Sequence, residues 1–248
     1  MLSAHQLSYR HGGQTLLSKV CVNLVPGQVV GVIGPNGAGK STLTKLMAGV
    51  LIPSSGRIEI AGESVGPGSG QVAYLPQKLE VHWPLPVAQV VALGRSQPAQ
   101  ANWRSLLNPA LKIDAAVEHA LQMLDLQALQ HRAVDTLSGG ELTRVLLARA
   151  IACGADYLLV DEPVNNLDPA YQFSIMQVLR KQAQSGVGVL AVLHDLSLVK
   201  RFCDQVVVLA QGRLVTQGAP ADVLTPGLLT DVFSIQAEDL DHWLDKIG

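Results

Sequence analysis

The 248-residue chain is poor in charge, in aromatics and in cysteine. Charged residues make up 15%, against roughly 25% in an average soluble domain, and 18 Lys and Arg face 20 Asp and Glu for a net charge of −2. No bulk field therefore draws the chain onto nucleic acid or an anionic membrane. Three cysteines, Cys21, Cys153 and Cys203, are odd in number and far apart. That excludes a disulfide framework and a cysteine zinc site, and suits a reducing compartment. Mean hydropathy is high at +0.26, yet no apolar run approaches the roughly 18–20 residues of a membrane-spanning helix. Residues Met1 to His11 lack a basic stretch followed by an apolar one, so no signal peptide is expected. Internal repeats and low-complexity segments are absent as well.

What is present is apolar. At 48% the chain can bury a sizeable core, and its length predicts one large domain or a domain with an attached lobe. The first sixty or so residues read as short β segments around one glycine-rich loop. Gln28 to Ile33 has the pattern of a strand buried on both faces, a helix follows over Leu43 to Val50, and Arg57 to Ile60 alternates like an edge strand. Gln71 to Leu75 is a further strand. From Gln77 to about Asp135, prolines at 84, 86, 98 and 109 punctuate helical spacing, notably Ala115 to Leu129, where Val117, Leu121, Leu124 and Leu129 share a face. A helix over Gly139 to Ala152 follows, then strand Tyr157 to Val160, helix Pro169 to Ser185 and strand Val187 to Leu193. Helix Leu196 to Phe202 and strand Gln205 to Leu209 complete the series. The alternation predicts an α/β fold with a mostly parallel sheet core, an antiparallel β part and a helical subdomain over about 78–152. One domain would then span 1–248, with a C-terminal extension from about 236.

The chemistry is concentrated in a few places. Gly34, Pro35, Asn36, Gly37, Ala38, Gly39, Lys40, Ser41 and Thr42 form a P-loop, whose four fixed positions match by chance about once in a hundred such chains. Its glycines let backbone N–H groups curl round a phosphate at the start of a helix, Lys40 reaches the β- and γ-phosphates, and Ser41 can ligate Mg²⁺. Asp161 ends the apolar run Tyr157 to Val160, where it can hold Mg²⁺ through a water, and Glu162 stands where a carboxylate can polarise an attacking water. Leu137-Ser138-Gly139-Gly140-Glu141 precedes a helix. By itself it is a capping box, Ser138 with Glu141 three residues on; beside a P-loop it is also a second anion site.

Taken together, these elements resemble the ATP-binding subunits of ABC transporters over residues 1 to about 235. The order fits: Tyr9, the P-loop, Gln77 after a strand, Leu-Ser-Gly-Gly-Glu, the acidic pair, Asn165-Asn-Leu-Asp168, and His194 after a strand. The resemblance implies a P-loop ATPase of ABC type using ATP and Mg²⁺. It implies a homodimer in which each ATP lies between the P-loop of one copy and the Ser138 to Gly140 segment of the other. It further implies adenine stacking by Tyr9, Mg²⁺ and water sensing by Gln77, and γ-phosphate contact by Ser138, Gly140 and His194. Glu162 becomes the general base and Asp168 the residue of inter-subunit communication. Two departures touch inter-subunit contacts: Thr143 where glutamine is common, and Val164-Asn165-Asn166 after Pro163.

With no membrane span on the chain, the resemblance is to import systems, with integral-membrane permease subunits and a substrate-binding protein as partners. The ATPase would sit peripherally on the cytoplasmic face of the membrane. Trp83 to Arg95, His194 to Asp204 and Gly218 to Leu224 resemble segments of importers of ferric siderophores, haem and cobalamin. Zinc or manganese import is the alternative, and a non-transport ABC ATPase acting on nucleic acid is disfavoured by the absence of a second cassette, a coiled coil or basic charge. One further expectation concerns Leu79, Val81, Trp83, Leu85, Val87, Val90 and Val91, read either as core or as an exposed groove for a permease helix.

Overall fold

The computed structural model describes residues 1–64, 70–77, 84–96, 113–165 and 167–234. Strands β1 (Leu2–His11) and β2 (Gln14–Leu24) form an antiparallel hairpin, extended by β4 (Ser55–Ile60) and β5 (Glu63–Ser64) in the order β2-β1-β4-β5. These first strands are long, ten and eleven residues, not the short segments expected. A second sheet runs β10-β9-β3-β8-β7-β6, built from β3 (Val29–Ile33), β6 (Val72–Leu75), β7 (Tyr157–Asp161), β8 (Gly188–Val192), β9 (Gln205–Ala210) and β10 (Arg213–Gly218). All its pairings are parallel except β10 with β9.

Strands β3, β7 and β8 are buried at all five positions, so they read as unbroken apolar runs. Their period of two divides the interior into two cores. Val29, Ile33, Leu158, Val160, Val189 and Ala191 face one side, while Val30, Val32, Leu159, Leu190 and Val192 face the other. The second face is covered by α1 (Lys40–Met47) and the antiparallel sheet, through Leu43, Leu46, Leu2, Leu7 and Leu24.

The first face carries the helices. Here α4 (Gly139–Ala152) packs against α2 (Val87–Ala92) and α3 (Ala115–Met123), while α5 (Pro169–Gln184) and α6 (Leu196–Phe202) lie over β8 and β3. The expected helix through Leu129 stops earlier: α3 ends at Met123, and Asp125 takes a left-handed φ of 52°. Leu124 and Leu126 remain buried after the turn, which is why the apolar spacing continued past the helix. Helices α7 (Pro220–Val223) and α8 (Pro226–Phe233) close the described chain. No helix among the described residues is long and apolar enough to cross a membrane.

Gly34, Gln77, Asp161 and His194 each lie at or just beyond the carboxyl end of a parallel strand. In open α/β sheets that edge, where connections leave to either side, is where ligands bind.

Candidate functional site

The P-loop is held by its neighbours on both flanks. Gly34 has φ of 147°, and a Cβ there would lie 2.0 Å from the Leu209 carbonyl oxygen. Gly39 has φ of 96°, and a Cβ would meet Leu16 O and Leu17 Cδ2, each at 2.8 Å. The Gly212 amide donates to Ala38 O (3.2 Å) and the Ser18 amide to Gly212 O (2.8 Å), pinning the loop between β2 and the β9–β10 turn. The Lys40 side chain is buried, and its Nζ donates to Gly34 O (2.8 Å) and Pro35 O (3.0 Å). Burial lowers the Lys40 pKa from its ordinary value, while Glu162 and Asp161 push the other way. Helix α1 has no side-chain cap and no acid in its first turn. Its leading N–H groups and positive dipole end are therefore open to an anion.

Asp161 is 1% exposed. Its Oδ1 accepts from Ser41 Oγ at 3.1 Å, and its Oδ2 is buried without a hydrogen-bond partner. Burial raises the Asp161 pKa, opposed by the Ser41 hydrogen bond and by the charges of Lys45 and Lys40. The Tyr74 hydroxyl is buried beside the same carboxylate with no close hydrogen bond, and its pKa is raised by burial, by the Asp161 charge and by a longer hydrogen-bonding contact with Asp161. An orphaned carboxylate oxygen beside a serine hydroxyl fits a small divalent cation, which takes hard oxygen ligands and completes its shell with phosphates.

Glu162 is the hub of the site. Its Oε1 lies 2.8 Å from His194 Nε2, and its Oε2 accepts from both Gln77 Nε2 and Asn165 Nδ2. Its backbone is left-handed at φ 54°, an uncommon conformation for a residue with a Cβ. Two segments distant in sequence, at Gln77 and His194, thus converge with the local Asn165 on one carboxylate directly after the Asp161 strand end.

Gly139 and Gly140 line the same cleft of about 470 Å³ as Gln77, Asp161, Glu162 and Asn165. Ser138 is the N-cap of α4 with a complete capping box: Ser138 Oγ accepts from the Glu141 amide (3.3 Å), and Glu141 Oε2 accepts from the Ser138 amide (2.8 Å). Asp168 does not reach this cluster; it caps α5, accepting from the Ala170 and Tyr171 amides at 3.1 Å each. Tyr9 is half-buried on β1, in register with Leu17, whose side chain abuts Gly39, and it stacks on His11 with centroids 6.5 Å apart.

The chain matches a family model described as ABC transporter over residues 17–165. It is 39% identical to the hemin import ATP-binding protein HmuV of Bordetella avium (strain 197N), over 97% of this chain and 95% of that protein. It belongs to the ABC transporter ATP-binding family. A relative of the same description from Thermobifida fusca (strain YX) is 36% identical over 98% of this chain and 85% of its own. A solved structure described as a metal-chelate type ABC transporter in an inward-facing conformation aligns with TM-score 0.77 and 27% identity, over 94% of this chain and 89% of that one. As an ABC ATPase the chain binds and hydrolyses ATP.

Within this ABC fold, two residues of the cluster escaped the sequence reading. Asn165 looked only like a departure in the stretch after Pro163; its signal was Glu162-Pro163-Val164-Asn165, a turn with proline at the second position and an amide at the fourth. Asn166 lies outside the described residues. Tyr74 was legible as the β6 position facing α1, opposite in phase to Ala73 and Leu75. For its described residues the groove expectation is corrected: Val87, Val90 and Val91 are at most 2% exposed, packed against the α4 side, and Leu85 is half-buried on the same core. A short helix buried at five of its six positions takes up that density as core. Leu79, Val81, His82 and Trp83 lie outside the described residues.

Proposed function

We propose that this ABC ATPase powers the uptake of an iron chelate, haem or cobalamin-type substrate through a separate integral-membrane permease, fed by a substrate-binding protein. The substrate class is supported by the relatives named for hemin import and by the likeness to a metal-chelate type transporter. The chain acts as one ATP-binding domain, peripheral on the cytoplasmic face of the membrane. Two copies pair so that each ATP meets the P-loop of one and Ser138, Gly139 and Gly140 of the other, with Asp168 at the junction between copies.

The observation that carries the chemistry is the Glu162 carboxylate, fixed beside Asp161 by His194, Gln77 and Asn165. Residues Gly34 to Thr42 cradle the phosphates, and Tyr9 stacks on the base. Ser41, Asp161 and Gln77 would hold Mg²⁺, which would supply charge neutralisation at the phosphate oxygens. Lys40 places a cation at the same oxygens. Glu162 accepts a proton from the attacking water, and His194 contacts the γ-phosphate while orienting Glu162.

The test uses the complete transporter in proteoliposomes, with hemin, a ferric siderophore and cobalamin offered separately. ATP-dependent uptake of one of them is expected. Glu162→Gln should retain ATP binding and lose roughly 10²–10⁴-fold in turnover, the range of general-base contributions. Uptake of free zinc or manganese in place of any chelate overturns the substrate class, and wild-type turnover in Glu162→Gln overturns the base.

A further inference from the structure

The two oxygens of Glu162 are not equivalent. An ionised carboxylate oxygen offers about two lone pairs to hydrogen-bond donors. On Oε2 both are engaged, by the Gln77 and Asn165 side-chain amides. On Oε1 one is engaged, by His194 Nε2 at 2.8 Å. Each amide must present nitrogen to an acceptor-only carboxylate, which fixes both side-chain orientations.

The two amides on Oε2 also differ. Gln77 is exposed and follows the end of β6. Asn165 stands on a short turn in which Pro163 and Val164 are buried and the Asn165 amide donates back to Glu162 O at 3.4 Å. That turn directly follows the left-handed Glu162, so the backbone that sets the Glu162 side chain and the amide that holds it belong to one short turn. Gln77 comes to Oε2 from a different strand end and is the more exposed of the two, while Asn165 comes from the turn that carries Glu162 itself.

We infer that Asn165 is a positioning residue that clamps Oε2 of Glu162, leaving Oε1, with its open lone pair, as the oxygen that takes the proton from the attacking water. This rests on Glu162 as general base. In the step, the water O–H bond breaks as its oxygen bonds to the γ-phosphorus, the proton passes to Oε1, and the bond to the leaving β-phosphate oxygen breaks. Asn165 touches neither water nor phosphate; its effect is on how often Oε1 points at the water.

Three variants of the full-length protein test this: Asn165→Ala, Asn165→Asp and Glu162→Gln. Steady-state kcat and KM for ATP, ATP affinity by equilibrium binding, and the melting temperature are measured for each. Asn165→Ala is expected to lose about 10-fold in kcat, the worth of one hydrogen bond to a charged group, with KM and ATP affinity within about twofold. Asn165→Asp keeps the shape, removes the donor and sets a like charge against Oε2, so it should lose at least as much. Wild-type kcat in both Asn165 variants, with Glu162→Gln inactive, overturns the clamp and leaves the base standing. Full turnover in Glu162→Gln overturns the base and the clamp with it. Loss in Asn165→Ala accompanied by a lower melting temperature or a raised KM, with Asn165→Asp near wild type, marks a packing role and also overturns the clamp.

Discussion

Helix α1 starts at Gly39, a left-handed residue with no side chain to fold over the first turn, and no carboxylate follows in that turn. Helix α4 starts at Ser138, whose hydroxyl and whose partner Glu141 close a complete capping box. Both helices begin at the nucleotide cleft, yet the first leaves its N–H groups and dipole uncompensated, while the second engages the Ser138 and Glu141 N–H groups internally and sets a carboxylate at its positive end. An uncapped start is a standing anion site. A self-capped start is stable without a ligand, and a phosphate reaching Ser138 must disturb its pairing with Glu141 or use the Gly139 and Gly140 N–H groups beside it. The difference separates a half-site whose helix start is fully open from one that is partly closed, and it suits an ATPase in which the Ser138 to Gly140 segment engages only when a second copy closes.

The sharpest way to break that comparison is at the open half. Lys40→Ala removes the ammonium that Gly34 O and Pro35 O hold at the loop. A charge-assisted hydrogen bond to phosphate is worth about 1.5–3 kcal/mol, so ATP affinity should fall roughly 10- to 100-fold. Equilibrium titration with ATP measures this. Because Lys40→Ala also leaves the Gly34 and Pro35 carbonyls without their donor, the melting temperature is measured beside the affinity, so that a loss of binding is read on folded protein. Wild-type affinity would mean that the uncapped helix start, not Lys40, holds the phosphates.

Much of that half was legible in the sequence because its constraints are local. A P-loop needs glycines at fixed spacing, and strands buried on both faces, such as Tyr157–Asp161, stand out as apolar runs. The antiparallel hairpin was harder. Gln6 and Lys19 sit at positive φ of 47° and 50°, and the register of β1 on β2 shifts at several points, so the period-two signal breaks within each long strand. The exposed edge strand Arg213–Gly218 has no fully buried position and leaves little apolar trace. Asn165 was missed for another reason: its turn after Glu162 is local, but its role depends on the Glu162 oxygen it shares with Gln77, 88 positions earlier, and nothing in the turn announces that distant amide.

At the capped half the expected effects are smaller. Ser138→Ala deletes the acceptor for the Glu141 amide. Loss of an N-cap hydroxyl costs about 1 kcal/mol, which in a chain of this size lowers the melting temperature by about 2–4 °C. Turnover should fall as well, since the same hydroxyl is the proposed γ-phosphate contact of the second copy. An unchanged melting temperature with lowered turnover would show that the cap contributes nothing to stability and that the two helix starts are more alike than their hydrogen bonds indicate.

The smallest effect separates charge from shape at the same cap. Glu141→Gln keeps an oxygen able to accept from the Ser138 amide, so the box can persist, but the negative charge at the helix start is lost. The Glu141 carboxyl is held below the ordinary carboxylate range, first by the Ser138 backbone N–H and then by the Ser138 side chain. A depressed pKa in the folded state means that the native form favours the ionised carboxyl. The stabilisation is therefore complete above the ordinary carboxylate range and is lost as pH falls through that range to the lower folded value. At neutral pH Glu141→Gln should melt slightly below wild type, by a few tenths of a kcal/mol for a solvent-screened charge at a helix end. Melting both proteins across descending pH should show that gap closing as Glu141 protonates, because a protonated glutamic acid and a glutamine present the same neutral acceptor to the Ser138 amide. A gap that stays constant to low pH would assign the difference to side-chain geometry, and α4 would then owe its closed start to the hydrogen bonds alone.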